Sequence, residues 1–526
     1  MKVSDLLVAC LEREGVEHVF GLPGEEMEDL LFSLRDSSVT FVPTRHEQGA
    51  AFMADVHGRL TGDAGVCLAT LGPGATNLVT GVADAHLDKS PLVAITAQGG
   101  LERLHQESHQ AIDVLGTFRA VTKWNTQLDS PDIVHESVRK AFKLAQYEKP
   151  GATHLELPED VAAEGTDTRP IDPGDRVAPP APDPDTLEEV EARLRAASRP
   201  IVVAGNGAVR ARAAAELRNF VDVADVPVVS TYMGKGAVSD AEAHSLMTLD
   251  SGPDGEPVRA VEASDLVVTV GYDIAEHDPA GWYEEDAPLV HVDSEPAEVY
   301  EAYDPDVEVV AGIEQTLEHL VDRCRDATPS FDDDWYREYR DRVVEDVDRE
   351  PSDGPPFTVR SVLPLLRDAM ASEDVLVSDV GSHKMAIAAN FPTYEPNTCI
   401  VSNGFASMGI AVPGGVAADL AVDSNVVAAT GDGGFLMNAA ELETATRVGC
   451  SFTVVVFVDD DYGLISEKQT AHTGESFGTE LTNPDLVAFA DSFGIDGYRP
   501  DSPADLRRIL QTTVGGEMSL VEVPVA

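Results

Sequence analysis

The residues best suited to chemistry lie in the last third of the chain. An apolar run at 426–430 leads into Gly431-Asp432-Gly433-Gly434-Phe435, and a helix-like stretch follows at 441–448. A glycine turn at the end of a parallel strand lets backbone N–H groups approach a phosphate, and the next helix N-terminus adds positive potential. Asp432 would face that same phosphate. Two like charges repel unless a hard cation lies between them, so the arrangement suggests Mg²⁺ bridging carboxylate and phosphate oxygens. A second apolar run, 452–458, ends in Asp459-Asp460-Asp461-Tyr462-Gly463. Neighbouring parallel strands deliver their carboxyl ends to one sheet edge, where α/β proteins bind ligands, and Asp459 would then complete the ion's shell. Taken alone, the triple aspartate is equally a solvated turn in a very acidic protein. The third feature is Glu47, set in Thr44-Arg45-His46-Glu47-Gln48-Gly49-Ala50-Ala51-Phe52-Met53-Ala54. A carboxylate among apolar residues is costly to bury unless its proton or charge has a partner.

The elements that must position these groups are short Val/Ile-rich runs alternating with amphipathic stretches, the signature of parallel α/β sheets. Strands are predicted at 66–70, 92–97 and 154–157, then at 201–204, 226–230, 266–271 and 289–292, and finally at 375–378, 426–430, 452–458 and 520–523. Between these groups, 164–184 is rich in Asp, Pro and Arg, and 352–356 reads Ser-Asp-Gly-Pro-Pro, so both read as linkers. The expectation is an α/β chain of three domains, 1–165, 186–330 and 356–526, each a mainly parallel sheet flanked by helices.

Composition narrows the function classes. A chain of 526 residues exceeds what one core serves, and 43% hydrophobic residues suffice to fill several. Its apolar runs are too short to span a bilayer, and the N-terminus lacks a charged-then-apolar leader, so a soluble cytoplasmic protein is expected. Five scattered cysteines without a C-x-x-C pair read as reduced and mostly buried. With 93 acidic against 37 basic residues the formal charge is −56. Such a surface repels nucleic acid and anionic membranes. It suits a halophilic, high-salt cytoplasm, where screening over about 3 Å at 1 M weakens self-repulsion.

The two aspartates are 459 − 432 = 27 residues apart. In that combination the segment resembles the thiamin-diphosphate-binding motif, which opens with Gly-Asp-Gly and closes with Asn-Asn about that far downstream; here the closing pair is Val458-Asp459. The likeness extends along the whole chain to the acetolactate synthase family. Gly21-Leu22-Pro23-Gly24, the Glu47 segment and Leu71-Gly72-Pro73-Gly74-Ala75-Thr76-Asn77 follow one another as in that family's pyrimidine-binding domain. The resemblance implies the thiamin-diphosphate-binding fold for the first and third domains, and thiamin diphosphate with Mg²⁺ as cofactors. It implies that Glu47 hydrogen-bonds the aminopyrimidine ring and promotes loss of the thiazolium C2 proton, with Gln110 near the reacting carbon. It further implies cofactor contacts from Gly24, Pro73, Asn77, Ser382, His383, the Ala406 carbonyl, Met408 as the prop for the bent cofactor, Gly431, Asp432, Gly433, Gly434, Asp461, Tyr462, Gly463 and Leu464. Asp432, Asp459 and the Asp461 backbone carbonyl would hold the metal.

Gly271-Tyr272-Asp273 through His277-Asp278-Pro279 and Trp282 look like the catabolic, FAD-independent branch, so FAD is doubtful as a cofactor. The implied reaction converts two pyruvates into 2-acetolactate and CO₂, in a homodimer or homotetramer whose sites lie between the pyrimidine domain of one subunit and the diphosphate domain of another. Two departures bear on the substrate: Glu26 stands where the catabolic type has lysine, and Lys468 where anabolic enzymes have tryptophan. Lys468 would bind a substrate carboxylate or be a surface lysine beside Glu467. Rival readings are a simple 2-oxo acid decarboxylase that releases aldehyde, and a non-catalytic member of the family.

Three weaker patterns are set aside. Gly205-Asn206-Gly207 lacks the third glycine of a dinucleotide fingerprint, since Arg210 takes its place. Gly474-Glu475-Ser476-Phe477-Gly478 fits G-x-S-x-G without a strand before it, and reads as a mobile loop over the site. His105 and His109 have the spacing of one helical turn but no third metal ligand.

Overall fold

The computed structural model describes residues 1–249, 255–283, 287–326, 331–332, 334–347 and 354–526. The first sheet is formed by β1 (His18–Gly21), β2 (Thr40–Pro43), β3 (Gly65–Ala69), β4 (Leu92–Gln98), β5 (Trp124–Gln127) and β6 (Ala152–Pro158). The central sheet comprises β7 (Pro200–Ala204), β8 (Val228–Ser230), β9 (Ser245–Thr248), β10 (Leu266–Val270), β11 (Leu289–Asp293) and β12 (Val307–Val310). The third comprises β13 (Val375–Ser378), β14 (Cys399–Val401), β15 (Val426–Gly431), β16 (Thr453–Val458), β17 (Asp496–Tyr498) and β18 (Ser519–Pro524). Every pairing is parallel, as in β15 with β16, where Gly431 lies opposite Phe457. In the first and third sheets a helix lies between every two consecutive strands, and the inner strands, buried on both faces, read as unbroken apolar runs.

All eleven predicted runs are strands. The remaining seven, β1, β2, β5, β9, β12, β14 and β17, are three or four residues long, and all but β1 are sheet edges. Strands of three or four residues leave no apolar run long enough to read, and β2, β5, β12 and β17 are partly exposed as well. In the expected linker at 164–184, residues 166–183 carry neither helix nor strand, and a helix begins at Pro184. Of the second expected linker, 352 and 353 lie outside the described residues. All five cysteines are buried and free.

The first sheet runs β2-β1-β3-β4-β6-β5 and the third β14-β13-β15-β16-β18-β17, the same order when each is counted from its own first strand. The central sheet runs β12-β11-β10-β7-β8-β9, a different winding. One apolar core joins the first and third domains through the helices Glu47–Thr61 and Ala411–Ala421, with Val56 lying against Gly414. No helix among the described residues is long and apolar enough to cross a membrane.

Candidate active site

Strands β15 and β16 end side by side, and the groups expected at their ends come together there. Gly431 caps the helix Asp432–Asn438, which puts Asp432 at its first position. Asp432 Oδ2 accepts from the backbone N–H of Asp460 at 3.0 Å and from Asn483 Nδ2 at 2.5 Å. Asp459 Oδ1 accepts from Asp461 N at 3.2 Å. Tyr462 lies against Gly433, and Gly463, with Leu464 behind it, opens the helix Gly463–Thr473. A Cβ at Gly463 would come within 2.7 Å of Asp459 Oδ2 and 3.3 Å of Ser382 Oγ. A Cβ at Gly431 would reach 3.1 Å from His383 Nδ1. The glycines therefore leave a cradle bordered by Asp432, Asp459, Ser382 and His383.

The cradle fits a diphosphate held through a hard cation. Burial pushes the Asp432 carboxyl up to about 6, and the charge of Asp459 adds to this, against hydrogen bonds from Asn483, Gly433 and Asp460. Burial raises Asp459 as well. Two neighbouring carboxyls that both favour protons are what a divalent cation would keep ionised. Asp461 Oδ1 and Asn483 Oδ1 are buried without partners. His383 is buried, its pKa lowered by burial to about 4, and its Nε2 is unpartnered.

The cradle is braced by a residue that no motif announced. Asp379, directly after β13, is buried and accepts from Gly409 N at 2.7 Å, Val380 N at 2.7 Å and Thr430 Oγ1 at 3.0 Å. Burial raises its carboxyl while these donors oppose the shift. Gly434 packs directly on that carboxylate. Asp379 thus ties the 381–383 turn, the 402–409 loop and the Asp432 turn together. Asn483 is the second such residue, lying in an unremarkable Thr-Asn-Pro sequence. In the 402–409 loop, Ala406 has φ +54°, a left-handed conformation costing a residue with a Cβ roughly 1–2 kcal/mol. Met408 beside it is half-buried.

The first domain supplies the other group. Glu47 is 5% exposed at the start of Glu47–Thr61, and its Oε2 accepts from Asn77 Nδ2 at 3.0 Å. Asn77 sits on the helix Pro73–Leu87, which has Pro73 at its first position and follows β3. The turn before Glu47 is held from the third domain: Glu441 Oε1 accepts from Arg45 N and His46 N, each at 3.0 Å. Sequence reading missed Glu441 because an acid in a helix's first turn reads as an ordinary dipole partner. Gln110 has φ +56° and its carbonyl abuts Gly72, beside the Pro73 turn. Gly24 packs on Thr70, whose Oγ1 donates to Glu26 Oε2 at 3.0 Å. Among the described residues, no hydrogen bond or ion pair joins Glu47 or Asn77 to Asp432, Asp459 or Asp461.

The set-aside patterns also find their places. Residues 105 and 109 lie in exposed turns, so the helical spacing supposed for the two histidines is corrected: no helix exists there to align them. Residues 474–478 form an exposed turn pinned by Phe477 N to Gln469 Oε1 at 2.7 Å. At Gly205-Asn206-Gly207 the buried Glu276 carboxylate accepts from Asn206 N at 3.0 and 2.9 Å, so the chain itself fills the place a phosphate would take. Tyr272 packs edge-on against buried Trp282 at 5.3 Å. Lys468 is exposed on Gly463–Thr473.

Residues 1–117 match the thiamine pyrophosphate enzyme N-terminal TPP binding domain, 187–320 the central domain, and 379–523 the C-terminal TPP binding domain. The chain is 32% identical to an acetolactate synthase of Bacillus subtilis, covering 99% of this chain and 93% of that protein. It is 32% identical to a catabolic acetolactate synthase of Raoultella terrigena, over 99% of this chain and 94% of the relative. A probable acetolactate synthase large subunit of Methanocaldococcus jannaschii is 31% identical over 98% of this chain and 90% of its own length.

Proposed function

This chain belongs to the acetolactate synthase family of thiamine pyrophosphate enzymes, and on that premise we propose that it joins two molecules of pyruvate into 2-acetolactate with loss of CO₂. It is a thiamin-diphosphate-dependent, acetolactate synthase-like carboligase acting on small molecules. The observation that carries the finer reading is the pairing of a buried, amide-bonded Glu47 in one domain with the Asp432–Asp459 cradle in the other domain of the same topology.

A bound thiamin diphosphate would supply a nucleophilic carbon and an electron sink for decarboxylation of a 2-oxo acid. This chain's residues bind, orient and move protons around it. Asp432, Asp459 and the Asp461 carbonyl would hold Mg²⁺. Gly431, Gly433, Gly434, Ser382, His383, Tyr462, Gly463 and Leu464 border the diphosphate. Glu47, oriented by Asn77, exchanges a proton with the aminopyrimidine, and Gly24, Pro73 and the Ala406 carbonyl flank that ring. Met408 would pack against the cofactor, and Gln110 would lie near its reacting carbon. The three separate sheets support a division into domains 1–165, 186–330 and 356–526.

Assembly as at least a homodimer is part of the same reading. Phe405, Leu436, Met437, Ile465 and Phe477 are exposed apolar residues on the segments that border the cradle, and Gly463–Thr473 buries none of its residues. A second copy bringing its Glu47 would cover them. A location in a cytoplasm of high salt is part of the same reading, supported by the −56 charge.

The test is incubation with thiamin diphosphate, Mg²⁺ and a panel of 2-oxo acids in molar KCl, with products identified by mass. 2-Acetolactate from pyruvate is expected. Acetaldehyde alone would replace carboligation with simple decarboxylation.

A further inference from the structure

We propose that Asp84 and Asp88, buried carboxylates at the end of the helix Pro73–Leu87, are positioning residues: from the first domain they fix the third-domain loop that carries Ala406 and Met408. The inference rests on the reading of that loop as a cofactor contact. Asp88 Oδ2 accepts from Asn403 N at 3.1 Å, and its Oδ1 accepts from Gly404 N. Asp84 Oδ1 accepts from Ser402 Oγ at 2.7 Å and from Ser407 N at 3.4 Å. Arg59 completes the grip, with Nη2 2.6 Å from Asp88 Oδ2 and Nη1 donating to the Val401 carbonyl at 2.8 Å. The loop is thus held at 401, 402, 403, 404 and 407, on both sides of the left-handed Ala406. A backbone in a sparsely populated region persists where its surroundings over-determine it.

Asn403 extends the grip to the central domain. Its Nδ2 donates to the carbonyls of Ala275 at 3.1 Å and Glu276 at 2.8 Å, while its Oδ1 accepts from Lys384 Nζ at 2.7 Å. One side chain therefore meets two domains while its own N–H is held by the remaining one.

Stability alone does not account for this cluster. Three buried carboxylates, Asp55, Asp84 and Asp88, share Arg59, which grips Asp55 with two 2.9 Å contacts. Asp84 Oδ2 has no hydrogen-bond partner, and burial, with Asp88 and Asp55 beside it, pushes that carboxyl well above its ordinary range. Buried charge of one sign in excess costs folding energy, and apolar residues of similar volume commonly serve stability better. What the second carboxylate adds is the pair of contacts to Ser402 and Ser407.

The experiment measures thiamin diphosphate affinity with Mg²⁺ and steady-state kinetics for wild type, Asp88→Asn, Asp84→Asn and the milder Ser402→Ala, at a temperature where circular dichroism shows each folded. Loss of a hydrogen bond to a buried carboxylate corresponds to about tenfold, so Asp88→Asn and Asp84→Asn are expected to bind the cofactor about tenfold more weakly, and Ser402→Ala about threefold. The kcat for 2-oxo acid falls while KM stays near wild type. Folded variants that lower the thermal midpoint yet bind cofactor and turn over like wild type overturn the proposal. Should both aspartate variants fail to fold, Ser402→Ala decides by the same criteria. Wild type that takes up no cofactor refutes the functional reading itself, a separate result.

Discussion

The first and third domains wind their strands in one order yet satisfy the matching glutamates of their last strands in opposite ways. In both sheets the third strand feeds the helix that reaches the site, but β3 leads into Gly72-Pro73 with no acid in the first turn, whereas β15 leads into Gly431-Asp432. The last strands are close copies, Thr-His-Leu-Glu-Leu-Pro at 153–158 and Ser-Leu-Val-Glu-Val-Pro at 519–524. Glu156 in β6 is held by neutral amides, Gln98 Nε2 at 2.8 Å and Gln127 Nε2 at 2.6 Å, and burial keeps its carboxyl above the usual range. Glu522 in β18 is gripped by the Arg499 guanidinium at 2.7 Å through each oxygen. Glu47 and its amide partner Asn77 follow the first pattern, Asp432 and its proposed cation the second. Topology fixes where a carboxyl sits; its partner decides whether it can trade a proton or must remain an anion.

Replacing Glu47 with Gln should break this contrast most severely. The amide keeps a hydrogen bond to Asn77 but carries no exchangeable acid, so kcat should fall by roughly 10²–10⁴ while cofactor affinity changes little. Hydrogen–deuterium exchange at the cofactor's C2 is the direct readout, and an unchanged rate would remove Glu47 from its role. Next in size, Asp432→Asn removes the charge on which the cation reading depends. Cofactor affinity in the presence of Mg²⁺ should drop about 10–100-fold, whereas Asp459→Asn, which restores the family's commoner residue, should stay within about threefold of wild type. Equal losses from the two would mean that the site needs both charges.

How much of this was legible depended on local chemistry. Long apolar runs bounded by Gly-Asp-Gly or by Asp459-Asp460-Asp461 were readable because strand, turn and ligand lie within a few residues of one another. Glu47 was readable because a carboxylate in an apolar stretch demands a partner. Glu441, Asp379, Asn483 and the Asp84–Asp88 pair left no such mark. Each works through contacts distant in sequence, as with Glu441 and the N–H of Arg45, and each looks in isolation like one more acid or amide on a very acidic chain. β17, Asp-Gly-Tyr, is a strand only because β18 pairs with it.

A third way to sharpen the contrast is Arg499→Met, which leaves Glu522 nearly buried beside no cation. Stranding a buried carboxylate costs about 3 kcal/mol at neutral pH, discounted here to about 2 because the guanidinium is nearly half exposed. Urea unfolding of the Met variant reads this directly. The corresponding change in the first domain, Gln127→Met, should cost less, since an amide partner removes no charge and Gln98 remains. If the two losses are equal, partner charge is not what separates the domains.

The smallest effect concerns the position where the two strands differ in polarity, His154 in β6 against Leu520 in β18. His154 stacks on Phe118 at 4.0 Å with Nε2 2.8 Å from Thr96 Oγ1, and burial lowers its pKa to about 3. The unfolded chain takes up that proton near 6.5. Between these values the unfolded state therefore binds more protons, so the stability His154 contributes is present above about 6.5 and is lost as pH falls. His154→Leu copies the third domain's residue and should remove this slope, at a pH-independent cost of about 1 kcal/mol for the unpaired Thr96 hydroxyl. From pH 7 to pH 5 the wild type should lose up to about 1.4 kcal/mol per unit below 6.5 relative to the variant. Parallel curves of unfolding free energy against pH would mean that the imidazole is solvated, and that the first domain's core is looser at β6 than the third domain's is at β18.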